Sequence, residues 1–186
     1  MPGRMSRRVL TLLCLVALTA GLAACGESDT KQGVDEPARE GLALPLDGVD
    51  YNVFITRELN PRITPDKAYV EPGTAPDATH TLYGVFLQVC NRGKESSQTA
   101  DRFKIVDNQG NEFEPTPLPE SNDFAYQPKV LGPQECIPEK GSVAQLGPTA
   151  GSMLLFRLPL ANTEYRPLEL EIEGPKGGHL TYDLDI

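Results

Sequence analysis

Seventeen prolines punctuate this 186-residue chain, sixteen of them from Pro37 onward, and that spacing works against a helical fold. Proline locks φ near about −65°, lacks the N–H that a helix needs and clashes with the preceding turn. No segment sustains a helical apolar period with caps. The stretches between prolines instead show period two. Tyr51, Val53 and Ile55 alternate with Asn52, Phe54 and Thr56, and the run ends before Asn60-Pro61. Thr81 to Cys90 is apolar on both faces, as a central strand should be. Phe103 to Asp107 is followed by the turn Asp107-Asn108-Gln109-Gly110-Asn111 and a short run Glu112-Phe113-Glu114. Gly151 to Leu158 is stopped by Pro159, and Leu168 to Ile172 alternates cleanly. Gly174 to Gly178 then turns the chain into Leu180 to Leu184. Seven or eight short strands separated by turn signals predict an all-β fold, an antiparallel sandwich.

The first 24 residues belong to a different physical class. Arg4, Arg7 and Arg8 precede an uncharged apolar run from Val9 to Ala20, and small residues follow it. Positive, apolar and small, in that order, is the layout of a secretory signal peptide. At 12 residues the run is short of the roughly 20 that a helix needs to span a bilayer. Leu22-Ala23-Ala24-Cys25 at its end resembles the lipobox of bacterial lipoproteins, whose cysteine is lipidated and becomes the first mature residue. A non-lipoprotein signal peptide with Cys25 incidental is the other reading. The expected organisation is a leader over 1–24, lipidated Cys25 with a flexible polar tether over 25–46, and a domain over 47–186. The expected location is the extracytoplasmic face of the cell membrane.

Loss of residues 1–24 removes three arginines and no acid from a chain of net charge −9, leaving −12 on 162 residues. Such acidity argues against nucleic-acid binding, which needs clustered Lys and Arg. Outside the membrane, Cys90 and Cys136 are expected to pair. Closing that loop would stabilise the fold by about 4 kcal/mol on the chain-entropy account. Without a CxxC, and with only His80 and His179 to assist, a metal site is not expected. No cofactor is expected either.

The order of elements carries a resemblance. A lipobox and a polar tether precede the Leu82-to-Asn91 strand, then Phe103-Lys104-Ile105-Val106-Asp107-Asn108-Gln109-Gly110. Gly147-Pro148-Thr149-Ala150-Gly151-Ser152-Met153-Leu154-Leu155-Phe156-Arg157-Leu158-Pro159 and a Leu-Glu-Leu strand follow. This resembles the immunoglobulin-like domain of bacterial lipoproteins, a family catalogued as a domain of unknown function. The resemblance covers about Tyr51 to Ile186 and implies an immunoglobulin-like sandwich in a cell-envelope role, with no catalytic residue to carry over. The Pro-rich stretches 60–80 and 115–133 depart from the pattern.

No nucleophile–base motif appears, and His80 and His179 read as surface histidines in turns. Glu169, Glu171 and Glu173 share one strand face and read as a solvated face. Asp107 to Glu112 lacks the spacing of a calcium loop and reads as a hairpin turn. The two departures hold aromatics among rigid prolines, so Tyr69, Phe124 and Tyr126 are candidate partner anchors. The competing reading makes Phe124 and Tyr126 a cover over one end of the core. Together these features predict a lipid-anchored, non-enzymatic binding or envelope-interaction module, its partner an unidentified envelope protein or ligand. The alternatives are an accessory or inhibitor of a secreted enzyme, with loop 115–133 blocking its target, and a small-ligand-binding lipoprotein.

Overall fold

The computed structural model describes residues 36–71, 74 and 76–186. In chain order the strands are β1 (Ala38–Arg39), β2 (Ala43–Leu46), β3 (Val49–Glu58), β4 (His80–Cys90), β5 (Ser97–Gln98) and β6 (Arg102–Val106). They continue with β7 (Glu112–Phe113), β8 (Val130–Leu131), β9 (Cys136–Ile137), β10 (Ser152–Pro159), β11 (Glu169–Glu173) and β12 (His179–Asp183). One α-helical turn, α1 (Val143–Leu146), is capped by the Ser142 hydroxyl, which accepts from the Gln145 amide. All seven strands expected from period two are present. The five additional ones are two to four residues long, too short to show a period.

Two sheets form the sandwich. The first runs β1-β12-β11-β6-β7, and the second runs β10-β4-β3-β2, with β9 also paired to β4. Every pairing in them is antiparallel except β1 with β12. Between the sheets lies the main core. Val85, Leu87 and Val89 of β4 and Phe156 of β10 face Ile105, Leu170, Ile172 and Tyr182 across it, all essentially buried. Three tyrosines tie its polar ends. The Tyr51 hydroxyl accepts from the Ala100 amide at 2.6 Å, and the Tyr126 hydroxyl donates to the Ala100 carbonyl at 2.9 Å. The Tyr182 hydroxyl lies 2.7 Å from the Tyr51 carbonyl and 3.0 Å from that of Leu42, so it joins the two sheets.

The other face of β4 is also apolar, and its cover comes from the Pro-rich stretches. Leu82 and Phe86 of β4 and Met153 and Leu155 of β10 form a second core with Leu59, Tyr69, Val70, Phe124 and Ala144. Tyr69 is its hub. Its ring meets Phe86 and Phe124 edge-on at centroid distances of 5.1 and 4.7 Å. Its hydroxyl accepts from the Thr149 amide, and its carbonyl accepts from Asn122 Nδ2. Gly84 keeps this layer close: a Cβ there would lie 2.9 Å from Phe86 and 3.1 Å from Leu59. The two departures are thus a third layer over the second sheet. That cover removes roughly 2–3 kcal/mol worth of exposed apolar surface for each large ring it buries.

One expected boundary is corrected. The domain does not begin at 47: Ala38–Arg39 pairs with Tyr182–Asp183, and Ala43–Leu46 pairs with Val49–Asn52. Asp47 and Gly48 make a two-residue turn with φ of 53° and 98°, the left-handed pair that a tight hairpin requires. Pro45 fits because β2 is an edge strand. The leader, Cys25 and the rest of the tether, residues 1–35, lie outside the described residues.

Candidate functional site

Cys90 and Cys136 are disulfide-bonded and directly opposed in the β4–β9 register. The adjoining Asn91 is fully buried. Its side chain donates to the carbonyls of Glu95 and Leu131 and accepts from the Gly93 amide. Disulfide and asparagine together clamp the exit of the long loop to the end of the central strand.

Tyr69, Phe124 and Tyr126 are 0%, 8% and 7% exposed. Tyr126 packs edge-on against Phe103 at 5.1 Å, and burial pushes its phenol well above the ordinary range. As packed, Tyr69 and Phe124 are placed as core cover, whereas Tyr126 belongs to the main core and borders a recess at its edge. The physical reason for Tyr69 and Phe124 is the doubly apolar β4, whose outer face they cover, while Tyr126 fills the core between the sheets. The loop meant to block a target is likewise tied down. The Thr116 amide donates to the Leu155 carbonyl, and Phe124 and Tyr126 exchange backbone hydrogen bonds with Met153.

The histidines stand at strand starts. His80 Nδ1 lies 2.9 Å from both the Thr79 hydroxyl and an Asp77 carboxylate oxygen, and that carboxylate also pairs with Arg157. Hydrogen bonds from the Thr79 hydroxyl, His80 and the Thr79 amide hold Asp77 below the usual carboxylate range. This is a local cap of β4. His179 begins β12, where its Nε2 lies 3.2 Å from the Thr181 hydroxyl. Asp107 closes the expected turn. Burial would raise its carboxyl, but hydrogen bonds from Asn162, Asn111 and the Gln109 amide outweigh that and lower it to about 2. No group of three metal-ligating side chains occurs among the described residues.

What remains open lies at the β7 edge of the first sheet. The outer face there is a shallow concavity of about 770 Å³ crossed by ion pairs. Lys104 Nζ lies 2.6 Å from Glu112 and 3.0 Å from Glu171, and Arg102 lies 2.7 Å from Glu173. Beside it is a recess of about 300 Å³ of mixed lining, walled by Phe103, Tyr126, Met153, Leu154 and prolines of loop 115–128, with Asp101, Thr116 and Gln127 at its polar side. Asp101, Phe103 and Pro115 border both. Reading the sequence did not find this place. Its one signal was Pro115 directly after Glu112-Phe113-Glu114, since a proline cannot extend a strand pairing that needs its N–H.

No family model and no curated protein matches this chain. Among solved structures it is similar to the yjhA protein of Bacillus subtilis, with a TM-score of 0.50 at 10% identity, over 80% of this chain and 99% of that one. It is also similar to ycdA of Bacillus subtilis, a candidate lipoprotein, with a TM-score of 0.50 at 14% identity. That match covers 78% of this chain but only 38% of the other. A β-sandwich protein of Clostridium difficile 630 aligns over 81% of this chain and 97% of its own, at 12% identity and a TM-score of 0.46. At such identities the likeness is one of fold alone, carried by the two matches at a TM-score of 0.50, and this chain's own two sheets make it a β-sandwich. Among the described residues no helix is long and apolar enough to cross a membrane.

Proposed function

We propose that this chain is a lipid-anchored, extracytoplasmic binding module of the immunoglobulin-like lipoprotein type, acting by display and not by turnover. The observation that carries the reading is Leu22-Ala23-Ala24-Cys25 at the end of a leader-like apolar run, ahead of a disulfide-bearing sandwich. A disulfide between two otherwise unused cysteines suits an oxidising compartment. The fold likeness to a candidate lipoprotein supports the same reading. With the first strand starting at Ala38, residues 26–37 separate Cys25 from the sandwich. Its net negative charge keeps the body from lying flat on anionic lipid.

The test is Cys25→Ala in the full chain. The substituted protein should leave the membrane fraction while its circular dichroism remains that of a β protein. Retention of the substituted protein in the membrane fraction would overturn lipid anchoring at Cys25.

A further inference from the structure

The β7 edge carries an unfinished pairing. The Asp107 amide donates to the Asn111 carbonyl, and Ile105 stands opposite Phe113. In an antiparallel ladder, alternate residues turn their N–H and C=O to the same neighbour, so Asp107, Ile105 and Phe103 all face the β7 side. Continuing that register would set Phe103 against Pro115, which has no N–H to give, and the pairing stops at Phe113. The chain then leaves for the second sheet, where Thr116 bonds to Leu155. On its β7 side the Phe103 backbone has no hydrogen-bond partner among the described residues. A backbone donor and acceptor left open at a buried residue form an edge that another extended chain can complete.

Side-chain alternation defines what would fit. A residue added opposite Phe103 points inward with the Phe103 ring, into the recess of about 300 Å³ and toward its Tyr126, Met153 and Leu154 wall. Its two neighbours point outward, over the concavity of about 770 Å³. There Arg102 and Lys104 are already ion-paired with Glu173, Glu171 and Glu112. Asp101 and Glu114, both exposed, make no ion pair among the described residues, which leaves the surface with an excess of acid. The chain's own tether does not suit it: residues 26–37 carry Glu27, Asp29, Asp35 and Glu36 against one lysine.

We propose that this edge binds an extended polypeptide segment of basic–apolar–basic pattern by strand addition at Phe103. The segment's central residue exchanges two backbone hydrogen bonds with Phe103 and buries its side chain against Tyr126 and Leu154. The flanking Lys or Arg side chains meet Asp101 and Glu114. This rests on the reading of the chain as a binding module and names the chemistry of its partner.

The experiment titrates the purified full chain with a fluorescent peptide containing Lys-Val-Lys and reads anisotropy, with amide shifts mapped by NMR. Saturable binding with perturbation at Arg102–Lys104 is expected. N-methylation of the valine should weaken binding roughly tenfold, because it removes one main-chain bond and blocks close approach. Glu-Val-Glu and Lys-Ser-Lys peptides should each bind at least about tenfold more weakly. Asp101→Lys with Glu114→Lys alters only exposed side chains and should weaken the Lys-Val-Lys peptide by a similar factor. Equal binding of the acidic peptide, indifference to N-methylation, shifts mapped elsewhere, or no binding at millimolar peptide would each overturn the proposal. Fractionation of Cys25→Ala is a separate measurement, so a peptide that fails to bind a chain released by that change removes this site and leaves the display reading standing.

Discussion

The two outer faces of the sandwich are built on opposite plans. The face of the β10-β4-β3-β2 sheet is apolar and roofed: Phe86, Leu82 and Met153 lie under Tyr69, Phe124 and the loops that carry them. The face of the β1-β12-β11-β6-β7 sheet is bare and charged, with Lys104 between Glu112 and Glu171 and Arg102 beside Glu173. One face therefore contributes to stability, and the other is left free for solvent or a partner. The prolines of the roof keep loops without strand structure in place, and Arg57 helps, lying 5.6 Å from the Tyr69 ring centroid while it pairs with buried Asp66 at 2.5 Å. An aromatic residue in a Pro-rich loop is consequently no sign of a binding surface until the sheet beneath it has been accounted for.

The largest expected effect breaks the roof. Phe124→Ala should cost about 3–5 kcal/mol, the range for removing a buried aromatic ring. For a domain of this size that corresponds to a fall in melting temperature of roughly 10 °C. Glu171→Ala on the bare face should stay within about 1 kcal/mol, as an ion pair that is part-exposed contributes little. Thermal melts of the two variants side by side decide it. A Phe124→Ala protein as stable as its parent would mean that the roof is not a core, and would return Phe124 to the list of partner anchors.

A smaller effect concerns how the bare sheet is finished at its β6–β7 turn. The Asp107 carboxyl is lowered to about 2. A carboxyl whose folded pKa is depressed contributes stability that is complete above its unfolded value, near 3.8, and is lost as pH falls through the folded value. Melting temperature should therefore fall between about pH 4 and pH 2, and Asp107→Asn should remove part of that fall. An acid transition unchanged by the substitution would show that other carboxylates govern it.

How much of this was legible in the sequence differs between the faces. Alternation and turn signals marked seven strands, β7 with its two residues among them, and β4 displayed its burial on both sides in Leu82-Tyr83-Gly84-Val85-Phe86-Leu87. That doubly apolar run already implied a cover for both faces, yet nothing local says which loop supplies the second one. The contacts are long-range, Tyr69 to Thr149 being 80 residues apart. Asp47-Gly48 between Leu46 and Val49 was a readable hairpin signal that extends the domain back into the expected tether. Asn91 is in the sequence only the end of the Leu82-to-Asn91 run, and it is the pairing of β4 with β9 that makes it a buried clamp. Pro115 named the end of a pairing, but the open Phe103 edge beside it depends on register, which composition does not carry.

The smallest expected effect sharpens the comparison on the bare face alone. Glu169 stands directly opposite Asp183 in the β11–β12 register, like charge against like. Burial first, then Asp183 and Glu171, raise the Glu169 carboxyl. A raised carboxyl works in the opposite sense to Asp107. Its ionised form is disfavoured by folding, so stability is recovered as pH falls through the raised value toward the ordinary one. Glu169→Lys replaces the repulsion with an opposite-charge pair and should add about 0.5 kcal/mol near neutral pH, the scale of an exposed cross-strand pair. The substitution also removes the titrating group, so the gain should shrink as the solution is taken from pH 7 toward pH 4. Denaturant midpoints at the two pH values measure both quantities. A gain that persists unchanged at pH 4 would mean that the lysine helps for a reason other than the relieved repulsion. A loss at pH 7 would mean that the half-buried Glu169 side chain makes packing contacts that the lysine cannot replace.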